Sequence, residues 1–430
     1  MDHALRRVSL PRLLAIVSFG FAITLLANTL EPAVLGHKVL ELAPKNPNTA
    51  MGLTTFAGLL VATVVQPVVG YLSDRTRSRW GRRLPYLAVG TLLVLLACYT
   101  IATAPVFGLV VAGMLILQLG ANTVQGPWQA LIPDLVPQEQ RGQASGLKAM
   151  LDIVALIVGR QAAGQLVARA PDWGTTAELA AVAVPAVAFV LALIVAARTL
   201  PDHPHAPAPA PATLREVLGG SFRADFSRYP AFRWWLVHRF LFWSAFILLN
   251  TFLLFFLIEV INLDEAQAQR FMARIFTVLG MALAGVSLPT GWLADRIGRK
   301  PLVVLSSVIA GSGTLVLLLA RDVTTLTVAG AIIGVGIGIF MTASWALVTD
   351  IVPSTEAARY LGIANMAAAG GSALARFLGG ALIDPLNRLL SYPGAGYLAM
   401  FGVAAAFFWL STLAAIRLPA QRRSSSMANL

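Results

Sequence analysis

The chain has 430 residues, of which 57% are hydrophobic and 12% charged, and its mean hydropathy is +0.75; a soluble domain carries about a quarter charged residues, so a chain that covers itself with a water-facing surface is excluded. The net charge of +12, from 32 Lys and Arg against 20 Asp and Glu, falls in short loops between apolar runs, which is a membrane-orientation pattern rather than a basic face for nucleic acid. A single cysteine, Cys98, excludes an internal disulfide and any cysteine-based metal cluster.

A membrane-crossing helix needs roughly 20 apolar residues to span about 30 Å of hydrocarbon. In chain order the sequence predicts such spans near 12–36, 49–72, 84–104, 105–132, 144–168, 178–198, 234–259, 268–292, 301–320, 322–350, 357–383 and 394–416. The first apolar run is too long for a cleavable signal, and no small-residue cleavage site follows it. The reading is an all-α membrane protein: twelve transmembrane helices in two six-helix halves, 1–198 and 234–430, the second ending in a short basic tail. Between them lies 199–233, whose alternating Ala and Pro up to Pro211 form a stiff linker. The stretch Thr213–Arg228 places Leu214, Val217, Leu218 and Phe222 at helical spacing and is expected on the membrane surface. An even number of spans puts both termini on one side. Of the Lys and Arg, 21 fall on that side, 6 on the other and 5 within spans, so both termini are expected in the cytoplasm of a plasma membrane or bacterial inner membrane.

The halves repeat each other. Gly70-Tyr71-Leu72-Ser73-Asp74-Arg75 recurs as Gly291-Trp292-Leu293-Ala294-Asp295-Arg296, and Ala130-Leu131-Ile132-Pro133-Asp134 recurs as Ala346-Leu347-Val348-Thr349-Asp350. The shift of 216 that relates Ala130 to Ala346 also carries Gly146 to Gly362, Met150 to Met366 and Arg160 to Arg376. Asn28-Thr29 echoes in Asn250-Thr251. A duplicated six-span half is the architecture of transporters that rock about a midplane site.

These motifs carry a family resemblance. Gly70 to Arg75, continuing to Arg79-Trp80-Gly81-Arg82-Arg83, resembles the loop 2/3 signature of the major facilitator superfamily, and Gly291–Lys300 resembles its second copy. Val65-Gln66-Pro67 through Arg83, with Asn122-Thr123-Val124-Gln125-Gly126-Pro127 in span 4, is similar to the sucrose transporters and the wider glycoside–pentoside–hexuronide cation symporters. The resemblance implies alternating access, with a conformational latch made by Gly70, Asp74, Arg75, Gly81, Arg82 and Arg83 in one half and Gly291, Asp295, Arg296 and Gly298 in the other. In the latch reading the glycines allow close helix approach, Asp74 caps a facing helix N-terminus, and the arginines bridge to carbonyls and carboxylates of the other half. The alternative is that these arginines only set topology.

Polar residues inside spans are costly and usually face a cavity. Span 4 carries Gln118, Asn122, Gln125 and Gln129 on one helical face, a row of neutral amides suited to hydroxyl-rich solutes; helix–helix hydrogen bonding is the competing explanation. Span 1 carries Phe21, Thr24, Asn28 and Glu31, with Pro32 expected to bend it. In span 7, Trp234 and Trp235 read as interfacial anchors and Asn250 lies deeper. Trp128 and Trp345 offer surfaces that either stack on a sugar ring or pack. Span 5 holds Lys148, Asp152 and Arg160. Asp152 lies roughly 16 Å along the helix from Arg141, one turn from Lys148. The candidate solute-binding set is therefore Asn28, Gln118, Asn122, Gln125, Asn250 and Trp345, and the candidate proton-coupling set Asp152, Lys148, Arg160 and Glu31.

The sequence departs from the symporters it resembles. Their span 4 carboxylate is Gln118 here, the arginine after the Gly-Pro turn is Gln129, and the span 2 carboxylates of the sodium-coupled branch are Ala62 and Gln66. Sodium coupling by that route is not expected. The expected function is secondary transport of a neutral sugar or glycoside with a proton. Export of amphipathic compounds, or a non-transporting scaffold on the same fold, remain open. No nucleotide loop, catalytic motif or metal-ligand spacing is present, so no enzyme activity, cofactor, metal or nucleic-acid partner is expected. The expected surroundings are a small solute, protons and membrane lipid, with the chain a monomer.

Overall fold

The structure, a computed structural model, describes residues 8–76, 78–137, 140–199, 229–351, 357–390 and 394–418. Twelve long apolar helices run through them: α1 Leu10–Leu42, α2 Pro47–Arg75, α3 Leu84–Ala102, α4 Phe107–Gln129, α5 Arg141–Val167, α6 Thr175–Thr199, α7 Pro230–Glu259, α8 Glu265–Ile297, α9 Arg299–Leu318, α10 Val323–Ile351, α11 Ala357–Leu389 and α12 Ala395–Ile416. Helix is the form dictated by a solvent that cannot hydrogen-bond the backbone. Every expected span is present. The boundaries differ by up to six residues where helix ends run beyond the apolar stretch, as at Leu42, Ile297 and Leu389. The linker and the surface segment expected at Thr213–Arg228 lie outside the described residues. Asp264 caps α8 through the Gln267 amide at 2.8 Å, and Asp322 caps α10 through the Thr325 amide and hydroxyl at 2.9 and 2.7 Å.

Pro32 lies in a change of helix type within α1. The helix is α-helical over Leu10–Thr29, widens to a single π-helical stretch over Leu30–Leu35, and resumes over Gly36–Leu42. The wide turn absorbs the missing proline N–H.

The chain forms two compact units whose limits do not follow the six-helix halves. The first comprises Met1–Gly220 with Thr251–Thr277 and Arg376–Arg388. It therefore contains α1–α6 together with the far ends of α7, α8 and α11, the far side being the one opposite the termini. These ends pack tightly: a Cβ on Gly52 of α2 would lie 2.7 Å from the Gly380 Cα of α11, and one on Gly164 of α5 would lie 2.7 Å from the Gln269 carbonyl of α8. Polar bonds lock the same seam. The Asn48 amide donates to Asp384 at 2.8 Å, the Thr49 backbone N–H donates to the same carboxylate at 2.8 Å, and Gln161 donates to the Thr277 hydroxyl at 2.8 Å. Within this unit the far side is closed.

The second unit comprises Ser221–Asn250, Val278–Ala375 and Leu389–Leu430. Its core stacks Phe242 on Phe340 with centroids 3.9 Å apart and Phe408 edge-on to Phe242. Fully buried His238 sits beside them, its Nδ1 2.6 Å from the Ser411 hydroxyl. Trp235, expected at the membrane interface, is instead fully buried, and its indole donates to the Ser344 carbonyl at 3.0 Å.

The duplication is visible in the packing. A Cβ on Gly120 of α4 would lie 2.8 Å from the Val94 nitrogen and 3.0 Å from the Gly90 carbonyl of α3. A Cβ on Gly336 of α10 would lie 2.9 Å from the Ala310 nitrogen and 2.8 Å from the Ser306 carbonyl of α9. All three positions are related by the same shift of 216, so both halves join backbone to backbone at one register. Gly120→Leu and Gly336→Leu are each expected to destabilise the protein by about 1–3 kcal/mol through overpacking, read as a lowered melting temperature in detergent, whereas Gly108→Leu, with open space at its Cβ, should leave it unchanged.

Candidate functional site

The polar face of α1 organises the buried charges of the first unit. Thr24, Asn28 and Glu31 share that face. The Thr24 hydroxyl donates to Asp152 of α5 at 2.9 Å, and Lys148 closes on the other Asp152 oxygen at 2.6 Å. Asn28 accepts from the Arg160 guanidinium of α5 at 3.4 Å while its amide donates to the Thr24 carbonyl at 2.8 Å. Glu31, in the π-helical turn, accepts from Arg376 of α11 through Nε at 3.0 Å and through Nη2. Glu31 also attracts Arg160 electrostatically, and the Arg160 guanidinium lies 3.7 Å over the Phe276 ring. The two repeat-related arginines thus answer to one carboxylate.

Of the four candidate coupling residues, Lys148 and Asp152 form the expected pair and are partly exposed, at 36% and 27%. Arg160 is directed to Asn28 and Glu31. The pairing of Arg376 with Glu31 joins residues 345 apart in sequence, so its nearest carboxylate along the chain, Asp384, is not its partner.

The span 4 row is divided. Asn122 is buried at 5% exposure, and its amide donates to the carbonyl and side-chain oxygen of Gln118, at 2.8 and 3.2 Å. Gln118 packs against α2, where a Cβ on Gly58 would touch it at 2.9 Å. Gln129 accepts from Gln66 of α2 at 3.3 Å. This face serves the α2–α4 contact, and Asn122 in particular is a packing residue rather than one open to a solute. Gln125 and Asn250 are half-buried; the Trp345 side chain lies outside the described residues. Trp128 is buried, packs on Gly20 and donates its indole N–H to the Ile16 carbonyl at 2.8 Å, so it braces α4 on α1.

The latch motifs resolve into a cap for their own half. Arg82 and Arg83 grip Asp134, just beyond α4, at 2.8 and 3.1 Å, and Arg83 also donates to the Ser73 hydroxyl at 2.6 Å. In the second half Arg299 donates to the Ala346 carbonyl and Lys300 to the Leu418 carbonyl. Arg75 stacks on Tyr71 at 3.7 Å and its repeat mate Arg296 stacks on Trp292 at 3.6 Å. Gly81 and Gly298 have φ of +78° and +88°, a conformation glycine adopts without strain. A Cβ on Gly70 or Gly291 meets nothing within 4 Å among the described residues, but the Gly70 Cα itself lies 3.6 Å from where a Cβ on Gly126 of α4 would sit. In the first half the tight residue is Gly126, whose Cβ would lie 3.1 Å from the Gln66 carbonyl. The side chains of Asp74 and Asp295 lie outside the described residues.

One cluster was not anticipated. His37 and Lys38 near the far end of α1 meet Glu178 in the first turn of α6 and Glu265 at the start of α8. Only the unusual density of ionisable residues next to span boundaries hinted at it.

Twelve helices, an internal repeat preserved in the packing, and charges paired within the bundle define a multi-pass membrane transporter of the major facilitator fold. The chain belongs to the family described as MFS/sugar transport protein, whose profile matches residues 45–383. Among curated proteins it is similar to the sucrose transport protein SUT1 of Oryza sativa subsp. japonica, 34% identical over 120 residues covering 22% of each chain. It is also similar to the sucrose transport protein SUC3 of Arabidopsis thaliana, 30% identical over 124 residues covering 24% of this chain and 21% of that one. The match thus spans about a fifth of those relatives' length. Among solved structures, the nucleoside transporter NupG superposes with TM-score 0.71 at 13% identity, covering 96% of this chain and all of that one. A bacterial homologue of the human lysosomal transporter Spinster, inward-facing and unoccupied, gives 0.68 at 16%, covering 97% of this chain and all of that one. At such identities these show the fold.

The Glu31–Arg376 pair is expected to be the strongest tie of this site. In a double-mutant cycle with Glu31→Gln and Arg376→Gln, melting in detergent should give a coupling of about 1–3 kcal/mol, the range for partly buried charges with shared partners; additivity of the two single losses would show that the pair contributes nothing.

Proposed function

We propose that this transporter carries a neutral sugar or glycoside together with a proton by alternating access. The observation that carries the reading is the Lys148–Asp152–Thr24 constellation: a half-buried carboxylate inside the bundle, held by one flexible ammonium and one hydroxyl. Protonating Asp152 removes its attraction for Lys148 and alters which conformation is favoured. Glu31, facing two guanidinium groups of different helices, suits a fixed structural tie better than a shuttling proton. The departures at Gln118, Ala62 and Gln66 support the same choice, since the carboxylates that would serve elsewhere are missing. A sugar cargo is supported by the family and by relatives named for sucrose transport.

In this reading Asn28 and Gln125 face the solute, Arg160 orients Asn28, and the loops bearing Asp74–Arg75 and Asp295–Arg296 hold the near side shut when the far side opens. Both termini lie in the cytoplasm of a cell membrane, as the Lys and Arg bias favours, and the monomer is the working unit.

Proteoliposomes offered labelled neutral mono- and disaccharides, with nucleosides as a comparison, provide the test. Sugar should accumulate when the pH gradient is imposed and only equilibrate without it. Asp152→Asn should abolish accumulation, a loss of about tenfold or more, while counterflow of preloaded sugar persists. Accumulation by Asp152→Asn at the parent's level overturns proton coupling through this residue; nucleoside uptake in place of sugar overturns the cargo.

A further inference from the structure

Both nitrogens of the His37 ring face carboxylate oxygens. Nε2 lies 3.2 Å from Glu178 Oε1 and Nδ1 lies 2.6 Å from Glu265 Oε1. An ionised carboxylate only accepts hydrogen bonds, and a neutral imidazole has one N–H to give. Two such contacts at once therefore require one proton more than a neutral ring between two carboxylates supplies. We propose that His37, clamped between Glu178 and Glu265, is a proton-binding site whose occupancy holds the far side of the transporter closed.

The surroundings agree. Glu178 is 2% exposed, and its second oxygen is buried with no hydrogen-bond partner. A cavity of about 330 Å³ is lined by His37, Glu41, Glu178 and Glu265. The charged groups facing the ring are Glu178 from α6, Glu265 from α8, and Lys38 and Glu41 from its own helix; Arg169 of the α5–α6 connection turns away onto Trp173, 4.8 Å from its ring. Lys38 lies 2.8 Å from Glu41 and 3.3 Å from Glu178, so the chain's own ammonium fills the position between those two carboxylates. Three acidic groups then face one ammonium, and the extra proton on the ring supplies the second positive charge beside a carboxylate that water scarcely reaches. Glu265 at 32% and Glu41 at 48% exposure give the site contact with solvent through which a proton exchanges.

The consequence for conformation follows from where the three residues reside. His37 and Glu178 belong to α1 and α6, whereas Glu265 opens α8. Opening the far side requires the end of α8 to leave, and Nδ1 then loses its acceptor. The closed arrangement binds the proton more tightly than the open one, so by linkage low pH on that face favours closure, and closure is lost as pH rises. With the termini in the cytoplasm, the pH sensed is that outside the cell. This site stands apart from Asp152 and does not depend on which group couples transport.

Spin labels report it directly. In a Cys98→Ala background, Lys45→Cys in the α1–α2 loop and Gln267→Cys in the first turn of α8 place labels at exposed far-side positions, with the full chain in nanodiscs. Between pH 5.5 and 8.5 the short-distance population of the parent should fall as pH rises, the closed-to-open ratio changing by up to about tenfold per pH unit for one linked proton. His37→Gln should make the distribution independent of pH. Glu265→Gln, at a half-exposed site, should do the same and decides the matter if His37→Gln does not fold. A pH-independent distribution in the parent, or an unaltered pH dependence in either variant, overturns the proposal; Asp152→Asn should retain the parent's dependence even if it no longer accumulates solute.

Discussion

Hydrocarbon offers no partner to a charge, so every ionised group at membrane depth has to be answered by another group of the protein. In this chain α1 supplies most of the answers. Thr24, Asn28 and Glu31 lie along one face and receive, in order, Asp152, Arg160 and Arg376. Two helices, α5 and α11, are thereby ordered around α1. The tie to α11 is made at the π-helical turn, where Pro32 leaves the backbone wider and Glu31 is presented from the stretch. A residue that breaks regular hydrogen bonding and a carboxylate that needs partners are adjacent, and each makes the other tolerable.

Closure of the far side draws on the same economy. Small residues set the distance of approach at Gly52 and Gly164, and polar bonds at Asn48, Thr49 and Gln161 fix the register. Apolar packing in lipid gains little from burial alone, because lipid tails are as apolar as the side chains they replace; close backbone contact and hydrogen bonds carry the association instead. The far seam has both.

Much of this was legible from sequence, for reasons that can be named. Spans follow from length and hydropathy, and the repeat from identical spacing of Gly, Asp and Arg. The Lys148–Asp152 pair was readable because helical periodicity places residues four apart on one face. Contacts that join distant segments were not. Nothing local connects Arg376 to Glu31, Arg83 to Asp134, or His37 to Glu178 and Glu265. The span 4 amides show the limit of periodicity: it places Gln118, Asn122 and Gln129 on one face but does not say whether that face meets a cavity or a helix, and here it meets α2. Trp235 misled for a related reason, since an indole near a span end reads as an anchor until its N–H is seen bound to Ser344.

The backbone contacts at Gly120 and Gly336 bear on mechanics. Two helices touching main chain to main chain cannot slide without atoms colliding, so α3 with α4, and α9 with α10, each rotate as a single stiff lever. Whatever bends in the molecule therefore lies elsewhere, in helices held by side chains that can exchange partners. The same backbone register is used in both halves, so each half contains one such lever.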